Sequence, residues 1–180
     1  MIVTSDAYRR SSAVGDLEAN RRRDPDNRWL WRMHTGRMEA EVVRDSLLAC
    51  AESLDRTMGG QELENEQALT TYRRSLYYSS HPENGGKSEF GELFDAPDAI
   101  DCYRRTQTIV PQQALALTNS ALVHAMSKAI VVKHPPAPAE QGTADWDGFV
   151  AAMFERILSR SPSEEERLIC REALQRQMEL

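Results

Sequence analysis

A chain of 180 residues in which 41% are hydrophobic is long enough to bury one core of ordinary size. Its formal net charge of −6 argues against general binding of nucleic acids, because a positive surface is needed to displace phosphate counterions. No run of residues has the length and apolar character of a membrane span, and the first twelve residues lack the apolar core of a secretion signal.

The cysteines and histidines form no pattern that binds a metal or a haem. Cys50, Cys102 and Cys170 lie far apart, without CxxC or CxxCH spacing. The four histidines are scattered, and a nucleophilic site that pairs one of them with a cysteine or serine would need a contact that the sequence does not reveal. We therefore predict no metal ligand, no cofactor and no catalytic residue in this chain.

The N-terminal part predicts a short helix over residues 1–12 and then mostly irregular structure. Residues 24–27 read Asp-Pro-Asp-Asn, which indicates a turn, because proline fixes its own backbone angle and Asp and Asn side chains bond to nearby backbone. A calcium loop would need a fuller alternation of oxygen ligands. Trp29, Leu30 and Trp31 are expected to anchor this loop on the core. The Arg21–Arg23 run near these tryptophans predicts a solvated surface rather than a nucleic-acid face.

Residues 37–54 predict the first long helix. At 3.6 residues per turn one face carries Ala40, Val43, Leu47, Cys50 and Leu54, and nearly the opposite side carries Met38, Val42 and Ala49. A charged stripe of Arg37, Glu41, Arg44 and Asp45 lies between them at spacings that allow salt bridges. The pattern predicts a helix that is packed between neighbours on two sides.

The middle of the chain predicts one short strand and then a second long helix. Residues 70–78, TTYRRSLYY, have the β-branched and aromatic composition of a strand, and Phe90, Leu93 and Phe94 are expected core anchors. The second helix runs over residues 111–133, with Thr108 as its predicted cap and Pro111 in its first turn. Its predicted apolar stripe comprises Leu115, Leu122, Met126 and Ala129, and its polar arc carries Gln112, Gln113, Asn119 and Ser120.

The C-terminal part predicts an antiparallel helical hairpin behind a proline-rich connector. Trp146, Phe149, Val150, Met153 and Ile157 mark the apolar face of its first helix. The second helix is predicted to start with Ser161 as its cap, Pro162 at its first position and Glu164 closing a capping box. We therefore predict a mainly α-helical fold, irregular, with at most one or two short strands, divided into a main region 1–134, a connector 135–144 and the hairpin 145–180.

Several sequence blocks, in this order, resemble the PSD domain of planctomycetes, a family of unknown function. The blocks are IVTSDAYRRSS, DPDNRWLWR, RMEAEVVRDSLLA, GG, RRSLYY, LFDAPDAIDCYRRTQTIVPQQALALTNS and FERILSRSPSEEE. The family is usually found near the C-terminus of large proteins that also carry a planctomycete cytochrome c domain. The resemblance covers nearly the whole chain, although SSHPENGG stands where family members often have an arginine after the RRSLYY block.

The resemblance implies that this chain is a fragment of a larger protein that is exported, periplasmic or associated with the cell envelope. It implies that haem is held by another domain of that parent. The expected partners are the parent's other domains, and a homo-oligomer would form if the fragment exposes apolar surface. No nucleic acid and no membrane span are expected.

One set of polar residues is the candidate functional cluster: Arg37, Glu41, Arg44, Asp45, Arg104, Arg105, Gln112 and Asn119. Arginine's planar fork suits carboxylate or phosphate, so the cluster is a candidate ligand site. The same residues in a half-buried salt-bridge lattice would instead fix the positions of the helices, and Gln112, Gln113 and Asn119 would satisfy backbone groups of the preceding loop.

We therefore expect a non-catalytic structural or interaction module of a large cytochrome c-associated envelope protein. The alternative is an enzyme domain, hydrolytic or redox-coupled, that binds an anionic or sugar substrate at the Arg/carboxylate cluster. The two hypotheses differ in whether these side chains converge on an open pocket or pair with one another beneath other elements.

Overall fold

The computed structural model describes residues 1–12, 18–81, 86–100, 107–138 and 144–178. These residues form seven α-helices: α1 Glu18–Arg23, α2 Ala40–Cys50, α3 Glu89–Leu93, α4 Pro111–Asn119, α5 Ala121–Lys133, α6 Trp146–Leu158 and α7 Glu164–Met178. They contain no β-strand, only isolated bridge pairs, so the predicted mainly α-helical fold is confirmed for the described part of the chain. The chain divides into two compact units, Met1–Met38 and Glu39–Leu180. The predicted boundaries at residues 134 and 144 stay a prediction.

The first unit is organised by the predicted Asp-Pro-Asp-Asn turn. The Asp24 carboxylate accepts the backbone N–H groups of Arg28 at 2.8 Å and Trp29 at 2.9 Å. The buried Asn27 amide exchanges two hydrogen bonds with the backbone of Arg32. The turn is therefore confirmed. The predicted anchoring is wrong for Trp29 and Leu30, whose side chains are exposed; the hydrogen bonds of Asp24 and Asn27 close the loop instead. Residues 1–12 hold only a 3₁₀ turn, Ile2–Thr4, where a short helix was predicted.

The core of the second unit lies where α2 meets α3 and α5. One cluster comprises Leu48, Ala51, Leu122, Met126 and Ile130, and another comprises Ala40, Phe90 and Phe94. Leu69 packs against both clusters. The predicted anchors Phe90 and Phe94 are confirmed as core residues.

Helix α2 is shorter than predicted, and its buried side is rotated from the predicted one. The helix begins at Ala40 because Glu39 has an extended backbone, so Arg37 and Met38 precede it. Its buried line is Ala40, Arg44 and Leu48, which are spaced by four residues. Val42, predicted to lie on a second packed side, is exposed. An arginine therefore occupies the middle of the buried line.

The predicted strand over residues 70–78 is wrong. Two 3₁₀ turns, Asn65–Leu69 and Ser75–Tyr77, flank a short extended piece, and single bridges pair Arg73 with Asp55 and Tyr78 with Leu63. Side chains of α2 bind the backbone groups of Thr71, Arg73 and Ser75 that a strand ladder would use. The β-type composition was correctly detected, but these hydrogen bonds determine the backbone conformation.

The predicted helix over residues 111–133 is two helices. Ser120 has an extended backbone, and its hydroxyl accepts the N–H of Val123 and so caps α5. Helices α4 and α5 are bent by 47° at this break. The predicted cap Thr108 instead donates to the Asp95 carboxylate, and the helix begins after Val110. Leu122 and Met126 of the predicted apolar stripe are buried, whereas Leu115 is exposed.

The predicted C-terminal hairpin is confirmed: α6 and α7 pack against each other, and Met153 of α6 packs on the core cluster of Leu48. The predicted capping box is two residues out of register. The hydroxyl of Ser163 accepts the N–H of Glu166 at 3.2 Å, and the Glu166 carboxylate accepts the N–H of Ser163 at 2.8 Å. The sequence contains two overlapping Ser-x-x-Glu patterns, and the structure uses the second.

Replacing Ser163 by alanine is expected to destabilise the protein by about 1 kcal/mol, because the first turn of α7 loses its side-chain acceptor. Ser161→Ala removes a hydroxyl two residues earlier that takes no part in the capping box, and we expect no change beyond about 0.5 kcal/mol. Urea denaturation of the two variants measures both values. Equal losses would show that the register of the cap is misassigned.

The cap of α7 also predicts an acid-dependent loss of stability. The hydrogen bond from Arg160, and then that from the Ser163 N–H, lower the pKa of Glu166 to about 2 from its ordinary 4.5. A carboxylate with a depressed pKa stabilises the fold above its unfolded pKa and loses that effect as the pH falls towards the folded pKa. The melting temperature of the wild type should therefore exceed that of Glu166→Gln at neutral pH. This difference should shrink between pH 4.5 and about 2. A difference that stays constant over that range would contradict the assignment.

Candidate functional site

The centre of the candidate cluster is Arg44, which α2 places on its buried line. Its side chain is only 2% exposed. Its Nε donates to the carbonyl of Ala68 at 2.8 Å, its Nη1 to the carbonyl of Arg73 at 2.8 Å, and its Nη2 to the carbonyl of Thr71 at 2.6 Å. All three guanidinium nitrogens therefore bind backbone carbonyls of residues 68–73.

Aromatic and hydroxyl groups complete the surroundings of Arg44. Its Nη2 donates to the Tyr78 hydroxyl at 3.0 Å, and its guanidinium lies 4.9 Å from the centre of the Tyr78 ring. The Tyr78 hydroxyl is also hydrogen-bonded to Thr71. A buried charge of this kind is stable only when it is paired and hydrogen-bonded, and Arg44 meets both conditions.

Asp45, the next residue on α2, binds the same stretch of chain. Its carboxylate accepts the backbone N–H of Ser75 at 2.9 and 3.1 Å and the Ser75 hydroxyl at 2.7 Å. Its Oδ1 also lies 3.3 Å from Nη1 of Arg44. Arg44 thus binds carbonyl groups, and Asp45 binds an amide group, of one segment, residues 68–78. Together the two side chains hold that segment against α2.

Two clefts adjoin this network. The inner cleft has a volume of about 100 Å³, and Glu41, Arg44, Ser75, Tyr78 and Lys87 are among its lining residues. The outer groove has a volume of about 590 Å³, and its polar lining includes Glu39, Glu41, Asp45 and Arg74. Arg44 reaches the wall of the inner cleft, but its nitrogens are already bonded to protein acceptors.

The structure places the other predicted cluster residues in different surroundings. Glu41 follows Ala40 at the start of α2 and lines both clefts. Arg37 belongs to the first unit, and Arg104 and Arg105 lie outside the described residues. Gln112 and Asn119 occupy exposed positions of α4 and are not among the described residues that line the two clefts.

The neighbour of Gln112, Gln113, is the buried amide that binds the preceding loop. Its Nε2 donates to the carbonyl of Leu93 at 2.8 Å and to that of Thr108 at 3.3 Å, and its Oε1 accepts the N–H of Val110 at 3.5 Å. Gln113 is the only member of the predicted amide group that the described part of the chain buries. Spacing alone does not distinguish it from Gln112, because adjacent residues differ only in the angle at which they leave the helix.

A second polar junction, which no sequence pattern predicted, lies at the C-terminal end of α2. Lys133 donates through Nζ to the carbonyls of Ala51 at 2.7 Å and Glu52 at 2.9 Å, which satisfies helix-end groups that have no partner within the helix. Arg156 of α6 bonds the carbonyl of Cys50 and the Glu52 carboxylate. This hydrogen bond from Arg156, followed by that from His134, lowers the pKa of Glu52. The junction joins α2, α5 and α6.

Metal binding has no evident location in the described part of the chain, where no three His, Cys, Asp or Glu side chains are grouped closely enough to hold an ion. Cys50 and Cys170 are free thiols there. No single described helix has the length and apolar character needed to cross a membrane, whereas α4 and α5 together meet that test but are bent.

A protein-family model matches residues 1–174, almost the entire chain, and its description reads "PSD1: Protein of unknown function (DUF1553)". No curated protein matches the sequence, and neither does any solved structure.

Proposed function

The chain belongs to the PSD1 family, whose function is unknown, and from that premise we propose that it is a non-catalytic structural and interaction module. Its setting is a large cytochrome c-associated protein of the cell envelope. Haem is bound by another domain of that parent, and this chain supplies a rigid surface for the neighbouring domains. The order of the sequence blocks supports the planctomycete origin and the envelope location.

The observation that carries the proposal is the closed network of Arg44 and Asp45. A ligand-binding arginine needs N–H groups directed at open space, whereas those of Arg44 bind carbonyls of residues 68–73 and the Tyr78 hydroxyl. The Asp45 carboxylate is likewise bound to Ser75. Both side chains therefore hold a loop in place, which is a structural role.

A direct test uses the cytochrome c domain of the same parent, expressed as a separate chain. Isothermal titration should show saturable binding, with a dissociation constant of about 1–100 μM, because tethered domains need only weak mutual affinity. Substituting exposed apolar residues of the module should weaken the binding, while Arg44 variants that remain folded should retain it. Absence of binding at about 1 mM would overturn the proposal.

Exposed aliphatic residues on the hairpin support self-association of the isolated chain. Ile157, Leu158, Leu168, Ile169 and Met178 are all exposed on α6 and α7. Exposed apolar side chains on one hairpin favour association in solution. Light scattering should therefore give a mass that rises with concentration, and a constant monomer mass would contradict this part of the proposal.

The inner cleft supports the second candidate, an enzyme domain that binds a small anionic or sugar substrate. Lys87, which forms an ion pair with Asp98 at 3.6 Å, and Glu41 line it together with Ser75 and Tyr78. If this candidate holds, phosphate or a sugar acid should raise the melting temperature of the wild type but not that of Lys87→Met. If neither compound has an effect, the structural module is favoured.

A further inference from the structure

One stretch of this acidic protein contains no acidic residue. The chain carries 28 Asp and Glu in 180 residues, about one in six, so about five are expected in residues 107–138, where there are none. Lys128 and Lys133 give this stretch a formal charge of +2. All other residues together therefore carry −8, which makes the total of −6. We call residues 107–138 the acid-free segment.

The acid-free segment exposes aliphatic side chains on both of its helices. Ile109 is 89% exposed just before α4, Leu115 is 56% exposed on α4, and Val132 is 73% exposed on α5. On its other side α5 buries Leu122 and Met126 in the core. Helix α5 therefore carries aliphatic side chains outside the side that the core covers, next to the polar residues His124, Ser127 and Lys128.

The geometry of the helix pair suits a surface better than a crossing. Together α4 and α5 have the length and composition of a membrane span, but they are bent by 47° at Ser120. The Leu122 side of α5 is held on the core cluster of Leu48. The apolar side chains of α4 and α5 that are not packed on the core face solvent. A partner can therefore contact the two helices without unfolding the core.

We propose that the acid-free segment docks on an anionic lipid surface. Ile109, Leu115 and Val132 enter the boundary between headgroups and acyl chains, where aliphatic side chains need no directional partner. Lys128, which is exposed on α5, meets the lipid phosphates, whereas Lys133 is held by the Ala51 and Glu52 carbonyls. The absence of carboxylates removes the repulsion that the rest of this protein would experience at such a surface.

The charges of the segment favour an anionic surface. In the sequence the acid-free run extends over residues 102–139, whose charged residues are Arg104, Arg105, Lys128 and Lys133. Docking of a second copy is the competing outcome of the test.

The test is co-sedimentation of the full chain with phosphatidylcholine vesicles that contain about one-third phosphatidylglycerol, against vesicles of phosphatidylcholine alone. The wild type should bind the anionic vesicles, and raising the salt from about 0.1 M to 0.5 M should weaken the binding. Val132→Glu and Leu115→Glu should each lower the partition coefficient at least about tenfold, since each removes an inserted side chain and adds a negative charge. Lys128→Glu should lower it at least about fivefold.

Val42→Glu on α2 is the matched control, because Val42 is an exposed valine, 44%, that lies outside both the acid-free segment and the hairpin. It should leave the partition coefficient unchanged, and circular dichroism should show that all variants are folded. The proposal is overturned if the wild type does not bind or if Val42→Glu weakens binding as much as Val132→Glu. It is also overturned if Val132→Glu abolishes self-association in the absence of lipid, which would indicate a second copy as the partner.

Discussion

Replacing Arg44 by methionine is expected to lower the free energy of unfolding by about 3–5 kcal/mol, the range for breaking a buried charge network by removing one partner. Methionine fills much of the same space but leaves the carbonyls of Ala68, Thr71 and Arg73 without their donors. It also removes the cationic neighbour of Asp45. Urea denaturation followed by circular dichroism measures the loss.

The matched control is Arg176→Met on α7. Arg176 forms an ion pair with Glu172 one helical turn away, and its side chain is 75% exposed. Exposed pairs of this kind contribute little, so we expect a change within about 0.5 kcal/mol. If Arg44→Met were as stable as Arg176→Met, Arg44 would not hold residues 68–78 in place, and the ligand-site hypothesis would regain its basis.

Replacing Gln113 by leucine is expected to cost about 1–3 kcal/mol, because the buried Gln113 amide no longer binds the carbonyls of Leu93 and Thr108. The same change at Gln112, on the exposed side of α4, is expected to have an effect of at most about 0.5 kcal/mol. The two variants are chemically identical and adjacent in sequence, so the difference between them isolates burial. Thermal unfolding of both decides the matter, and equal effects would contradict the assignment of Gln113 as the loop-binding amide.

The helices that the sequence predicts best are those whose signals are local. The hairpin of α6 and α7 follows from apolar periodicity and a Ser-x-x-Glu start, and both signals act within one turn. The buried positions of Leu122 and Met126 follow from the same periodicity. The register of the cap at Ser163 was missed, because two equivalent Ser-x-x-Glu patterns overlap in the sequence.

The errors occur where distant side chains determine the backbone. Residues 70–78 have strand composition, but Arg44 and Asp45, about 30 positions earlier, bind their carbonyl and amide groups. The break between α4 and α5 depends on the extended backbone of Ser120, a residue that is tolerated inside a helix as well as at its start. Only the first outcome lacks a signal in the local sequence, because serine is a preferred helix cap and Ser120 was predicted as part of a polar arc.

The candidate cluster was predictable in part. Arg44 and Asp45 are adjacent in the sequence and were placed in one candidate cluster, but helical spacing gave no sign that Arg44 occupies the buried line between Ala40 and Leu48. Arginine is rarely buried, so hydrophobic periodicity passes over it. The junction of Lys133 and Arg156 with the end of α2 was missed for the same reason, since its acceptors are backbone carbonyls that any sequence provides.

The most direct test of a structural role for Arg44 and Asp45 is amide hydrogen exchange at Ser75, whose N–H is bound by the Asp45 carboxylate. In the wild type we expect this amide to be strongly protected. In Arg44→Met the protection at Ser75 should fall, while that of the α7 amides is lost only to the extent that global stability falls. A Ser75 amide that exchanges in the wild type as fast as in an unfolded chain would contradict the account, because Asp45 would then be free to bind something else.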